Sequence, residues 1–334
     1  MLAPSENGYR IGVIDPLTLV GREVRSLLRE RGVPFSHLAL LDSTDKDSVT
    51  LTADDEEAAV VTPLTVEALS DLDIVFFCGQ PESTMIWSEI ENNTLLSIDL
   101  TQPSSISSDG ALIVAGVNHE EINDSTSLVI SPHPAAIPII LILDALRRGH
   151  EITLAIGTII QPASELGQEG VDELLEQTIN VLNVMSVPRK IFPQQLAFNL
   201  FPSVEADRLE AYLAAQARAV IDRDLPVSLS LTQGTVFHSH TFALYVRLDG
   251  EPFEDEIAEI LGKSEAIEVA DVDAHLSTID AGGRDEVLVS RISRDESTGG
   301  FWIWAVADNL RRSSSLNAVL ILEYVIARFG QPVN

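Results

Sequence analysis

Near its start the chain places a buried strand directly before an amphipathic helix, and this pairing excludes most architectures. Tyr9 to Ile14 (YRIGVI) reads as a strand buried on both faces. Val20 to Arg31 (VGREVRSLLRER) then sets its apolar residues at helical spacing on one side. A second strand follows at 37–43 (HLALLDS), and further buried strands are predicted within 69–78 (DIVFFC), at 95–100 (LLSIDL) and at 111–115 (ALIVA). Buried strands alternating with helices pair in parallel and define an α/β fold. A strand–turn–helix opening of this kind is the usual seat of a dinucleotide-binding unit.

Beyond about residue 134 the pattern changes. Helices are predicted at 137–148, 170–184, 209–222 and 315–329, with strands at 151–160, 227–231, 242–248, 286–291 and 301–307 (FWIWAVA). This half reads as a second α/β domain with a larger, mixed sheet. The acidic segments 42–57 and 249–273 read as solvated faces and turns.

Asp and Glu number 51 against 21 Lys and Arg, a formal charge of -30. That balance excludes a nucleic-acid binder, which must neutralise phosphates, and argues against an anionic membrane surface. Hydrophobic residues at 45% and a mean hydropathy of +0.17 argue for a globular chain rather than a disordered acidic one. Of the cations only Lys46, Lys190 and Lys263 are lysines, a composition that fits a salt-tolerant source. A single cysteine, Cys78, forms no internal disulfide and fits a reducing compartment. The opening MLAPSENGYR has neither the basic nor the apolar region of a signal peptide, and the longest apolar run, 135–143, is too short to span a bilayer. The expected location is the cytoplasm.

Five stretches, in order, carry a resemblance: VGREVRSLL (20–28), QPASELGQEGVDELLEQT (161–178), QLAFNLFP (195–202), VFHSH (236–240) and VADNLRRSSSLNAVLILE (306–323). Together the chain resembles the aspartate-β-semialdehyde dehydrogenase family, whose second segment runs Gln-x-x-Ser-Gly-x-Gly-x-x-Gly. The resemblance implies a Rossmann-like N-terminal domain (1–133 with 318–334) and an α/β dimerisation domain of the semialdehyde dehydrogenase type (134–317). It implies NADP as the family's cofactor, a homodimer, and reductive dephosphorylation of aspartyl phosphate through a cysteine thioester.

Position by position, the chain departs from that pattern. The family's Asn-Pro-Asn-Cys falls on Ser131, Pro132, His133 and Pro134, so the nucleophile position is Pro134. His133 there reads as a structural histidine, and Cys78 as a buried apolar residue. The glycine-loop positions are Asp15, Thr18 and Gly21. Only the last keeps its glycine, Asp15 sets a carboxylate against phosphate, and Pro16 lacks an amide donor. The two substrate arginines fall on Ser105 and Gln233. Retained are His240 at the general acid/base position, Gln161 at the positioning residue, Arg291, and Asp308 with Asn309 on the cofactor side. His238 and His240, two apart, would share a strand face but lack a third metal ligand, so no metal is expected. Glu165, Glu169, Asp172 and Glu173 read as acidic residues suiting a helix dipole.

These losses make the chain similar to the degenerate Usg-type relatives of the family: a catalytically inactive homologue with a binding or assembly role, as a homodimer and without cofactor. Two alternatives stay open. One is an enzyme of altered chemistry, acting on a small acid in a retained cleft. The other is a true NADP-dependent semialdehyde dehydrogenase.

Overall fold

The structure is a computed structural model that describes residues 8–44, 49–51, 59–89, 95–101, 110–204, 206–250, 252–271 and 273–330. It divides into two compact units, residues 1–132 with 314–334 and residues 133–313. The return to the first unit begins at Ser314, where the sequence reading set it at 318.

The first unit carries the strands β1 (Tyr9–Ile14), β2 (Phe35–Asp42), β3 (Val49–Leu51), β4 (Ala59–Pro63), β5 (Ile74–Phe77), β6 (Leu96–Asp99), β7 (Ala111–Leu112) and β8 (Leu128–Ile130). Helices α1 (Leu19–Glu30) and α2 (Val66–Ser70) cross between them. The strand order is β3-β4-β2-β1-β5-β6-β8-β7, parallel throughout except for the β3–β4 pair. Strands β1 and β5 are buried along nearly their whole length, as apolar runs flanked by helices must be. The expected strand at 111–115 shrinks to two residues, and β8 was not anticipated. Within the acidic segment 42–57, Val49–Leu51 forms a strand; residues 45–48 and 52–58 lie outside the described residues.

The second unit contains α3 (Ile137–Arg147), β9 (Ile152–Gln161), α4 (Gly167–Leu182), β10 (Phe201–Pro202), α5 (Ala206–Val220), β11 (Val227–Gln233), β12 (His240–Leu248), α6 (Glu254–Gly262), β13 (Ile267–Val269), α7 (Thr278–Ala281), β14 (Val287–Arg294) and β15 (Phe301–Ala307). Its sheet, ordered β10-β11-β9-β12-β15-β14-β13, is mixed as expected, but with seven strands against eight it is not the larger. Helices α3, α5 and α6 pack against it or one another. In β9, Ala155, Gly157, Ile159 and Gln161 are buried while Ile156 and Thr158 are exposed, the period of two that one covered face imposes. Tyr245 pairs with both Ile156 and Trp302, so these side chains share the opposite face. The reading of 249–273 as solvated turns is corrected. Ile257 and Leu261, four apart, are fully buried and anchor α6, and the acids Glu254, Asp255 and Glu256 fill its first turn, where the helix dipole favours them.

Finally α8 (Leu316–Phe329) returns to the first unit. Its buried Leu316, Val319, Leu322 and Val325 join the core of Tyr9, Ile11, Val24 and Phe76. Asn317 fastens it there, accepting from Ala115 N–H at 2.8 Å and donating to Ile113 O and Ser131 Oγ at 3.1 and 2.9 Å. No helix among the described residues is long and apolar enough to cross a membrane.

Candidate functional site

In the second unit, three distant stretches meet at a buried carboxyl. Pro162 ends β9, and a 3-10 turn (Ala163–Leu166) follows before α4. This turn directs Glu165 inward, so that its side chain is 7% exposed, with Oε1 3.3 Å from His133 Nε2 and Oε2 3.3 Å from His240 Nε2. His133 is held by Gln216 Oε1, which accepts its backbone N–H at 3.1 Å. Its Nδ1 accepts from Ala135 N–H at 3.0 Å. A ring nitrogen that accepts carries no proton, so the His133 proton sits on Nε2, facing Glu165. His240 opens β12 beside Ser239, whose φ of 72° turns the chain sharply, and its ring leans on Phe242 with centroids 5.7 Å apart. Asn309 ties the group together, accepting from Ser239 N–H at 2.9 Å and donating to Ser164 Oγ at 3.0 Å.

Burial without aligned donors sets the protonation of these groups. Both Glu165 oxygens and both His240 nitrogens lack an aligned hydrogen-bond partner. Burial raises the Glu165 carboxyl from 4.5 to about 7, only partly offset by Asn309. Burial lowers His133 to about 3, and lowers His240 to about 3 with help from His133. Near neutrality the cluster therefore holds two neutral imidazoles around a carboxyl close to half-protonation. The helix-dipole account of Glu165 is corrected accordingly. Glu173 was also misread: its carboxylate accepts from the backbone N–H groups of Lys190, Ile191 and Phe192 at 2.8, 2.8 and 3.1 Å. Burial alone would raise it, but those donors and Gln177 outweigh burial and hold it below its ordinary value.

The other expected site residues are placed as follows. Gln161 ends β9 and its Oε1 accepts from Ser203 Oγ at 2.6 Å. Gln233, at one of the expected substrate positions, donates to Gln161 O at 3.1 Å on the neighbouring strand β9. Asp308 caps the following turn, accepting from Leu310 and Arg311 N–H at 2.9 Å each, and Arg291 sits exposed with a φ of 49° where β14 bulges. His238 is exposed in the loop before β12 while His240 is buried, so the two do not share a strand face. No three-residue metal cluster occurs among the described residues. Ser105 lies outside the described residues. Pro134 is buried and carries no reactive atom.

The first unit holds Asp15, Thr18 and Gly21 at the β1–α1 turn. Gly21 is required there, because a Cβ would lie 2.4 Å from Asp15 O. Thr18 caps α1, its Oγ1 accepting from Gly21 N–H at 3.0 Å. Cys78 is buried after β5, and burial, with Asp15 and Asp99 adding to it, pushes its thiol well above the ordinary value.

Two family models match the chain: the semialdehyde dehydrogenase NAD binding domain over residues 10–125 and the semialdehyde dehydrogenase dimerisation domain over residues 143–312. The chain belongs to the semialdehyde dehydrogenase family. Among relatives, the aspartate-semialdehyde dehydrogenase of Rickettsia bellii is 28% identical, with 96% of this chain and 98% of that protein aligned. That of Aquifex aeolicus is 25% identical over the same shares. The solved aspartate semialdehyde dehydrogenase II of Vibrio cholerae superposes with a TM-score of 0.87 at 26% identity, over 96% of this chain and 99% of that one. A Candida albicans family structure with NADP shares the fold at 16% identity and a TM-score of 0.73, covering 96% of this chain and 99% of that one. Where the resembled segment runs Gln-x-x-Ser-Gly, this chain has Glu165 after Ser164. That departure from the resembled pattern was the signal available in the sequence, and Glu165 supplies the carboxyl that His133 and His240 flank.

Proposed function

We propose that this semialdehyde dehydrogenase homologue does not carry out the family's thioester reaction and acts as a binding or assembly protein. One observation carries the reading: the imidazole at the general acid/base position, His240, faces the buried Glu165 carboxyl at 3.3 Å, with no nucleophile at Pro134. The chain's one thiol, Cys78, is packed into the core of the first unit, where its raised pKa disfavours the reactive thiolate. The test is NADPH formation from aspartate semialdehyde, inorganic phosphate and NADP by the full chain. No phosphate-dependent turnover is expected; turnover overturns the reading.

The assembly is a homodimer through the second unit, in the cytoplasm. The dimerisation-domain match supports the dimer, as does the sheet face on which Ile156 and Trp302 are exposed at 41% and 43%. Light scattering should give twice the 36.3 kDa chain mass, and a monomer would refute it.

One observation favours a second reading, an enzyme of altered chemistry on a small acid. A carboxyl near 7 can hold or release a proton at neutral pH, as a general acid or base must. Any such activity should vanish in Glu165→Gln, and survival there removes this alternative.

A further inference from the structure

An open parallel sheet takes its ligand outside the carboxyl ends of the strands where the chain order reverses. In the first unit that point lies between β1, which continues to β2 on one side, and β5, which continues to β6 on the other. Asp15 follows β1, and Gly79 lies just beyond β5. A Cβ added to Gly79 would fall 1.6 Å from Asp15 Oδ2, so the carboxylate is seated directly on the Gly79 backbone. Its oxygens also accept from the Ser43 N–H and Oγ–H, both at 2.9 Å, just past the end of β2. One carboxylate thus ties together the ends of three neighbouring strands.

The helix start behind it is satisfied as well. Thr18 Oγ1 accepts from Gly21 N–H and directs its own proton to Asp15 O and Cys78 O, at 2.9 and 3.0 Å. A pyrophosphate needs open amides and close backbone approach at this turn. Here it meets a carboxylate, a capped amide and Pro16, while Asp42 adds negative charge to Asp15. The dinucleotide implied by the family does not fit these residues.

We propose that Asp15 is an internal occupant of the nucleotide crevice: latched by Ser43 onto Gly79, it excludes dinucleotides and is the dominant cause of this exclusion. The inference concerns binding and stands apart from the absence of thioester chemistry. The backbone at Asp15 has a φ of 55°, which glycine adopts freely, so Asp15→Gly removes the carboxylate without adding strain.

The test is isothermal titration of NADPH, NADH and ADP-ribose into the full chain and its variants. The wild-type chain should show no binding at millimolar ligand. Asp15→Gly should bind at least one of them about a hundredfold or more tighter than that limit, the scale set by removing a like charge from a binding contact. Asp15→Asn keeps the shape and loses the charge, and should gain less. Micromolar binding by the wild-type chain overturns the proposal, as does an Asp15→Gly protein that is folded by circular dichroism yet gains nothing. Equal gains in Asp15→Asn and Asp15→Gly overturn the occupancy, since loss of the charge alone would then account for the whole effect. Should Asp15→Gly fail to fold, Asp15→Asn carries the test instead and is expected to gain affinity through loss of the charge, while Ser43→Pro removes both the N–H and the Oγ–H of the latch; no gain in either overturns the proposal. Wild-type binding without turnover sinks this proposal alone; semialdehyde turnover sinks the preceding one.

Discussion

Replacing Glu165 by glutamine should change the pH dependence of stability in a direction that the buried cluster dictates. Glutamine keeps the shape and cannot ionise. In the folded chain the Glu165 carboxyl is raised to about 7, against 4.5 for an ordinary glutamate. A raised carboxyl contributes stability that is full below 4.5 and is lost as pH rises through about 7, because the unfolded chain ionises first. At about 1.4 kcal/mol per pH unit, this interval is worth about 3 kcal/mol, most of which falls between pH 5 and pH 8. The side chain is only 7% exposed, so solvent screening takes little from this figure. Glu165→Gln lacks the loss. Its stability relative to the wild-type chain should therefore rise by about 2–3 kcal/mol from pH 5 to pH 8. The two imidazoles are present in both proteins and cancel in the difference.

Urea unfolding followed by tryptophan fluorescence provides the assay. Trp302 and Trp304 both lie on β15, and Trp304 Nε1 donates to Leu276 O at 2.9 Å, so in a Trp87→Phe background, which removes the tryptophan of the first unit, emission reports on the second unit. Protein concentration is held fixed, since dimerisation would shift apparent stability. A difference between the two proteins that stays constant from pH 5 to pH 8, or that falls, would refute the claim that folded Glu165 resists ionisation.

The other predictions concern single groups. Burial holds His133 and His240 at about 3, so their stability contribution is full above 6.5 and is lost as pH falls toward 3. Between pH 5 and pH 6, His240→Gln should reduce the slope of stability against pH by about 1 kcal/mol per unit in urea titrations. Glu173→Ala strips the acceptor from three backbone N–H groups and should cost about 3 kcal/mol, with faster hydrogen exchange at Lys190 to Phe192 and a smaller loss in Glu173→Gln. Gly21→Ala drives a methyl onto Asp15 O and Pro16 Cα, at 2.4 and 2.9 Å, and should lower stability by about 1–3 kcal/mol in the same urea assay.

Local patterns made most of the first unit legible. The strand at Tyr9–Ile14 matches its structural bounds, and α1 differs by a residue, because an uninterrupted apolar run and a one-sided helix each encode their own geometry. Short elements were not legible. The strands β8 and β13 have three residues each, too few to show a period, and take their place from parallel partners far along the chain. Helix α6 was hidden because its acidic first turn masks an apolar pair that only packing reveals.

The same contrast divides the site. Asp15 was legible because a charge at a glycine position acts within its own turn, whatever the remainder of the chain does. Glu165 was not, because its meaning depends on His133 before α3 and His240 at the start of β12. Nor does the acidic composition help, since it counts all carboxyl groups alike. Glu173, with three backbone donors, is held as an anion, and Asp144 is paired with Arg147 and Arg148 on its own helix. Glu165 faces two imidazoles and no aligned donor, and so holds its proton toward neutrality. Whether a carboxyl in this chain is a charge or an acid is decided by the donors that reach it. In the buried cluster a charge of -30 therefore predicts nothing, and the donors within reach of Glu165 decide the electrostatics.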